Sequence, residues 1–226
     1  MDHIQMDHQT FHGNIERLDK FIFCGLFVFC AFSCISRIGA LTALSATSVL
    51  IVVRHCRLPY EKKIPAGLIG AYFCFICLLI PSLLFSQNLR NDVRPFVNIV
   101  FDVVPFLLAW FGIVEKKQII PLIAALAFSL TISSLSIIYQ GIVLGVDSAT
   151  RFSSFGYICM ATAGFTAVIL PLLGVVVLER RGLNPWLKAG LTAAIFIGVL
   201  AVVINMNRGV WMAMIIVTII YLWVKL

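Results

Sequence analysis

The chain has 226 residues, of which 61% are hydrophobic and only 12% charged, with a formal net charge of +7. Soluble domains carry roughly a quarter of their residues as charges, so this composition excludes a water-solvated globule and requires lipid as the solvent. The excess of cations lacks the aromatic and basic interleaving of a nucleic-acid surface, so nucleic acid is excluded as a partner and the charge is read as membrane orientation.

In chain order, Met1 to Lys20 is polar and mixed in charge, unlike a signal peptide, and reads as a short cytoplasmic lead-in. His3, His8 and His12 lie in it without a Cys or carboxylate to complete a metal-ligand pattern, so no metal is expected. Phe21 to Ser36 and Ile38 to Val53 are apolar runs of sixteen residues, each about 24 Å long as a helix. Arg37 separates them, and the pair reads as a hairpin of two short spans. Five further stretches are long enough to cross roughly 30 Å of hydrocarbon: Pro65 to Phe85, Phe96 to Val114, Gln118 to Leu144, Gly156 to Leu178 and Trp186 to Ile204. A last short span, Val210 to Val224, completes the expectation. None has the strict alternation of a barrel strand, so the segments are helices. The expected fold is all-α: a polytopic membrane protein with about eight transmembrane helices, made of a cytoplasmic tail over 1–20 and a helical bundle over 21–226.

The charges test this topology. With the N-terminus inside, twelve of the seventeen Lys and Arg fall on the cytoplasmic side, every lysine among them. The other five are all arginines, Arg37, Arg90, Arg94, Arg151 and Arg208. That distribution obeys the positive-inside rule, and fusing the first two spans into one would weaken it. The seven cysteines, an odd number, lie nearly all within spans. Cys74 and Cys77 have redox spacing, but a thiolate in a lipid-bathed helix would be desolvated, so the cysteines read as small apolar packing residues. Walker loops, dinucleotide fingerprints and zinc-protease motifs are missing, and no cofactor is expected.

Chemistry is therefore sought on the outer face. A guanidinium is a planar fork of donors that matches phosphate oxygens in pairs and dehydrates more easily than an ammonium. Arginines at helix ends also snorkel to lipid phosphates, the simpler role for Arg37 and Arg90. Arg208 lies in Asn205-Met206-Asn207-Arg208-Gly209-Val210-Trp211, a tight turn between apolar spans. Gly209 there admits close backbone approach. Arg151 is flanked by the hydroxyls of Ser148, Thr150, Ser153 and Ser154. Arg94 precedes Pro95, and Asp102 follows deeper in the same span, as an ion-pair member or as a group orienting an arginine or sugar hydroxyl. Thr131, Ser133, Ser134, Ser136, Tyr139 and Gln140 form a polar stripe in the outer half of its span. Such residues commonly hydrogen-bond helices together, while Tyr139 and Gln140 also suit sugar hydroxyls.

The Asn207-Arg208-Gly209-Val210-Trp211 segment resembles the Ser-Arg-Gly-x-Trp type element of the O-antigen ligase and polymerase superfamily. These are bacterial inner-membrane glycosyltransferases that use undecaprenyl-pyrophosphate-linked glycans. Arg151-Phe152-Ser153-Ser154-Phe155-Gly156-Tyr157 is similar to the family's Arg-x-x-Gly-x-x-x-Asn-Pro region, with the Asn-Pro portion replaced by Ile158-Cys159-Met160 and the glycine displaced. The resemblance implies that Arg208 and Arg151 are the catalytic cations, stabilising charge on the departing pyrophosphate without a metal. Arg94, Asp102, Tyr139 and Gln140 are then candidates for substrate binding. It implies an inner-membrane location, with membrane lipids and the lipid-linked glycan as partners. Family members also carry a base histidine on a large outer loop after the region resembled here. His3, His8, His12 and His55 all fall on the cytoplasmic side, so the chain is expected to correspond to the N-terminal part of such an enzyme. The alternative is a transporter or flippase of lipid-linked sugars or organic anions. Against it stand the lack of an internal repeat and the scarcity of mid-membrane polar residues.

Overall fold

The structure is a computed structural model that describes the backbone of residues 2–59, 62–84, 97, 103–145, 159–180, 182–205 and 208–225. Among the described residues there are helices and connections and no strand. The helices are α1 (Asp2–Phe32), α2 (Arg37–Arg57), α3 (Ala66–Leu84), α4 (Val103–Gly112), α5 (Ile119–Leu144), α6 (Cys159–Glu179), α7 (Pro185–Ile204) and α8 (Arg208–Lys225). A 3-10 turn over Lys116–Gln118 leads into α5.

Three of these are long and apolar enough to cross a membrane: Arg37–Arg57, the continuous Lys116–Leu144 element, and Pro185–Ile204. Val103–Gly112, Thr166–Glu179 and Val210–Trp223 are shorter apolar helical stretches. Among the described residues these three meet the length and composition of a span, and the expected number of eight is not confirmed. Of the expected span from Phe96 to Val114, residue 97 and Val103–Gly112 are described as helix, and 96 and 98–102 lie outside the described residues. At the other end of the chain, α1 runs unbroken from Asp2 to Phe32, through the expected lead-in and into the first apolar arm.

The chain divides into two compact units. The first comprises 1–23 and 46–114. Within it, Arg54 Nε donates to Asp19 Oδ1 at 3.2 Å, joining α1 to α2, with side chains only 12% and 20% exposed. Lys62 Nζ donates to the carbonyls of Trp110 and Ile113 and so supplies a cation to the C-terminal end of α4.

The second unit comprises 24–45 and 115–226. Its centre is α5, which packs against α6 and α7, while α6 also packs against α7 and α8. The shared core includes Leu130, Leu170, Leu173, Leu191, Ala194 and Val202. On α7 the buried seam is built from Leu191, Ala194, Gly198, Ala201 and Val202. These mostly small residues let neighbouring backbones approach, the usual device where apolar helices pack in lipid. A Cβ on Gly198 would stand 2.6 Å from Leu170 Cδ2 and 3.4 Å from Leu130 Cδ2, so α5, α6 and α7 meet at this glycine.

The α7 N-terminus shows why the helix starts there. Asn184 accepts a hydrogen bond from the Trp186 amide at 3.0 Å, and Pro185 follows at the first helical position. Large apolar side chains remain exposed around the unit, among them Phe128 and Ile142 on α5, Phe196 on α7, and Ile215, Ile219 and Trp223 on α8. An apolar periphery on helices whose backbone polar groups bond internally is suited to hydrocarbon.

Candidate functional site

The helix directions in the second unit decide which residues share an end. Leu130 meets Gly198, and seven residues further along α5 Ile137 packs with Ala201 and Ile204 of α7. Both positions advance together, so α5 and α7 run parallel. Short connections make α6 and α8 antiparallel to α7: residues 180–184 join α6 to α7, and 205–207 join α7 to α8. At the far end of α8, Lys225 Nζ lies 2.7 Å from Glu179 Oε1 and 2.9 Å from Oε2, and Tyr221 Oη donates to Oε1 at 2.7 Å. Glu179 closes α6, so the C-termini of α6 and α8 are tied together. Hydrogen bonds from Lys225 and then Tyr221 hold the Glu179 carboxyl below the usual carboxylate range, and Glu179 in turn raises Lys225.

Two chemically different ends follow. Lys116 and Lys117 at the start of α5, Arg180 after α6, Lys188 in the first turn of α7 and Lys225 at the close of α8 share one end. There Lys117 pairs with Glu115 at 2.6 Å, which raises the Lys117 pKa. Arg208, the first residue of α8, is at the opposite end with the last turns of α5 and α7. Asn205, buried beside it, closes α7 by donating its amide to the Ala201 carbonyl at 2.9 Å.

No protein-family model, curated protein or solved structure matches this chain. Its site is therefore described from its own residues alone.

Of the residues singled out in the sequence, Arg94, Asp102 and Arg151 lie outside the described residues, and Arg208 is described by its backbone. Tyr139 is 68% exposed on the last third of α5. Gln140, one residue on, donates from Nε2 to Ser136 Oγ at 3.1 Å, a bond within its own helix. Along the polar stripe, Thr131 bonds back to the Ala127 carbonyl at 2.8 Å, while Ser133 and Ser134 are buried. Helix packing is the use made of these two serines.

Ser129, one turn before that stripe, carries a contact that the sequence did not signal. Its hydroxyl accepts the Cys34 backbone N–H at 2.8 Å. Ser33, Cys34 and Ser129 are all buried, and Cys34 belongs to the same core as Leu130 and Leu170. The α1–α2 turn is thus seated against α5 at the level of Gly198. Phe32 and Gly39 close the turn, with the Phe32 ring 3.0 Å from where a Gly39 Cβ would stand. A serine four residues ahead of Ser133 was the available signal, but nothing in the letters said which distant amide it meets.

Proposed function

We propose that this chain is a multi-span protein of the bacterial inner membrane that binds an undecaprenyl-pyrophosphate-linked glycan at its outer end, in the manner of the O-antigen ligase and polymerase superfamily its arginine motifs resemble. Arg208 and Arg151 grip the diphosphate, with Arg94, Asp102, Tyr139 and Gln140 as candidates for the remaining contacts. In the transfer that the resemblance implies, an acceptor hydroxyl attacks the anomeric carbon, the bond to the diphosphate breaks, and the guanidinium groups stabilise the charge left on the leaving group.

One observation carries the reading. The helix order of the second unit gathers Lys116, Lys117, Arg180, Lys188 and Lys225 at one end and the start of α8, with Arg208, at the other. By the positive-inside rule the lysine end is cytoplasmic, so Arg208 faces outward, where lipid-linked glycans are consumed. A guanidinium that stays charged at every physiological pH suits a diphosphate there.

The test is photo-cross-linking in membranes with an undecaprenyl-pyrophosphate probe. The native protein is expected to label, and Arg208→Ala and Arg151→Ala to lose labelling. Equal labelling of all three proteins would reject the assignment.

A further inference from the structure

We propose that the lysine-bearing end of the second unit is a binding surface for anionic phospholipid headgroups, carried by Lys116, Arg180 and Lys188. The parallel register of α5 and α7 puts these residues near one level. Leu130 meets Gly198, and eleven residues back along each helix stand Ile119, the first residue of α5, and Leu187, in the first turn of α7. An equal rise per residue keeps these two level, and both pack against the shared core. Lys116 opens the 3-10 turn just before Ile119, and Lys188 follows Leu187. Arg180 comes directly after α6 ends at Glu179, four residues before the Asn184 cap of α7. Packed helices lie about 8–10 Å apart, so three long cationic side chains emerge over one small area.

Much of the positive charge at this end is already matched. The described side-chain carboxylates of the unit are Glu115 and Glu179, and each is engaged, Glu115 by Lys117 and Glu179 by Lys225. Lys116, Arg180 and Lys188 are exposed, and among the described residues no carboxylate pairs with them. The border of the surface decides between a free anion and a lipid. Trp186, in the first turn of α7, and Trp223, in the last turn of α8, are 85% and 80% exposed at this same end, where an indole finds the apolar and polar sides of a headgroup layer. Leu178 and Leu222, a turn or less inward from Glu179 and Lys225, are exposed as well. A free phosphate has no use for such an apolar border. A phospholipid uses both parts, its phosphate meeting the cations and its chains lying along the leucines. Neither Arg208 nor a diphosphate takes part, so failure of the cross-linking test would leave this surface standing.

The experiment is quenching of tryptophan fluorescence in reconstituted vesicles by brominated phosphatidylglycerol or brominated phosphatidylcholine, each at the same fraction in unlabelled phosphatidylcholine. Trp110→Phe and Trp211→Phe restrict the emission to Trp186 and Trp223. Both leaflets have one composition, so the orientation of the chain does not enter. With its cations intact the protein is expected to prefer phosphatidylglycerol about fivefold or more, and the preference to shrink as salt rises. Lys116→Gln, Arg180→Gln and Lys188→Gln together are expected to bring it to near parity, and each alone to reduce it. Glu115→Gln with Lys117→Gln removes a matched pair and is expected to leave the preference intact, as is Lys116→Arg with Lys188→Arg, which keeps the charge. Thermal unfolding is the folding control, and the single variants carry the test if the triple variant does not fold. Equal quenching by both lipids with the cations intact would overturn the proposal and leave these residues only a part in orienting the chain during insertion. A preference that survives the triple variant would overturn it equally. Competition by inorganic phosphate would put a free anion on the surface and remove the lipid.

Discussion

Gly198 offers the sharpest quantitative check on the packing that sets the depth of every residue in the second unit. Replacing a helical glycine by alanine at an unobstructed position stabilises by up to about 1 kcal/mol, because the chain loses less backbone entropy on folding. At Gly198 the new methyl would stand 2.6 Å from Leu170 Cδ2 and 3.4 Å from both Leu170 Cγ and Leu130 Cδ2. Leu130 and Leu170 are themselves 1% and 2% exposed, so neither can swing into open space. Overpacking of a filled core costs about 1–3 kcal/mol. The net expectation for Gly198→Ala is therefore destabilisation of about 0–2 kcal/mol, and more for Gly198→Val. Gly190, on the same helix, has nothing within 4 Å of its virtual Cβ and provides the internal control. Gly190→Ala is expected to be neutral or to stabilise by up to about 1 kcal/mol. The assay is unfolding in mixed detergent micelles, with Leu170→Ala added to Gly198→Ala to close a double-mutant cycle. A favourable coupling of about 1 kcal/mol or more is expected, since the two residues touch. If Gly198→Ala stabilises as much as Gly190→Ala, the three helices do not meet at Gly198.

Three other outcomes are expected. Ser129→Ala leaves the buried Cys34 amide without its acceptor and is expected to cost about 1–3 kcal/mol in the same unfolding assay; an unchanged unfolding midpoint would detach the turn from α5. The depressed Glu179 pKa means that its bonds to Lys225 and Tyr221 stabilise the folded chain above the ordinary carboxylate pKa, and that this contribution is lost as pH falls through the lower folded value. Protection of the amides over residues 219–225, taken relative to their intrinsic exchange rates, is therefore expected to fall on acidification in the native protein, and Glu179→Gln to remove that change in protection; identical protection profiles would deny the tie between α6 and α8. Arg208→Lys is expected to impair labelling by the undecaprenyl-pyrophosphate probe nearly as much as Arg208→Ala, because a point charge lacks the planar fork, and full retention by the lysine variant would reject bidentate phosphate binding.

The helical class was legible because composition alone demands it: apolar runs without alternation have few other ways to satisfy their backbone in lipid. The extent of α7 was legible too, since the apolar run Trp186 to Ile204 coincides with the helix Pro185–Ile204 to within one residue. Which face of each helix is buried was not. On α6, Ile169, Leu170, Leu173 and Val176 are buried while Val168, Leu172 and Leu178 are exposed, and both sets are aliphatic. When lipid and core are equally apolar, the periodicity that marks a core face in a water-soluble protein vanishes. The same degeneracy hid the seating of the α1–α2 turn, since an amide and a hydroxyl 95 residues apart bond it to α5 and neither is unusual as a letter. The cationic asymmetry was legible as a count over the whole chain; among the described residues of the second unit, the directions of α5 to α8 put Lys116, Lys117, Arg180, Lys188 and Lys225 at one end and the start of α8 at the other. Tyr139 and Gln140 were picked from a polar stripe; Tyr139 is exposed, and Gln140 bonds to Ser136 within its own helix.

Side-specific labelling tests the central claim most directly. Asn207→Cys and Lys188→Cys, each in a background freed of native cysteines, are treated in intact cells with a membrane-impermeant maleimide and again after permeabilisation. Asn207→Cys is expected to react in intact cells and Lys188→Cys only once the membrane is opened. Labelling of both from the same side, or of Lys188→Cys alone in intact cells, would contradict an outward-facing Arg208 and the diphosphate site built upon it.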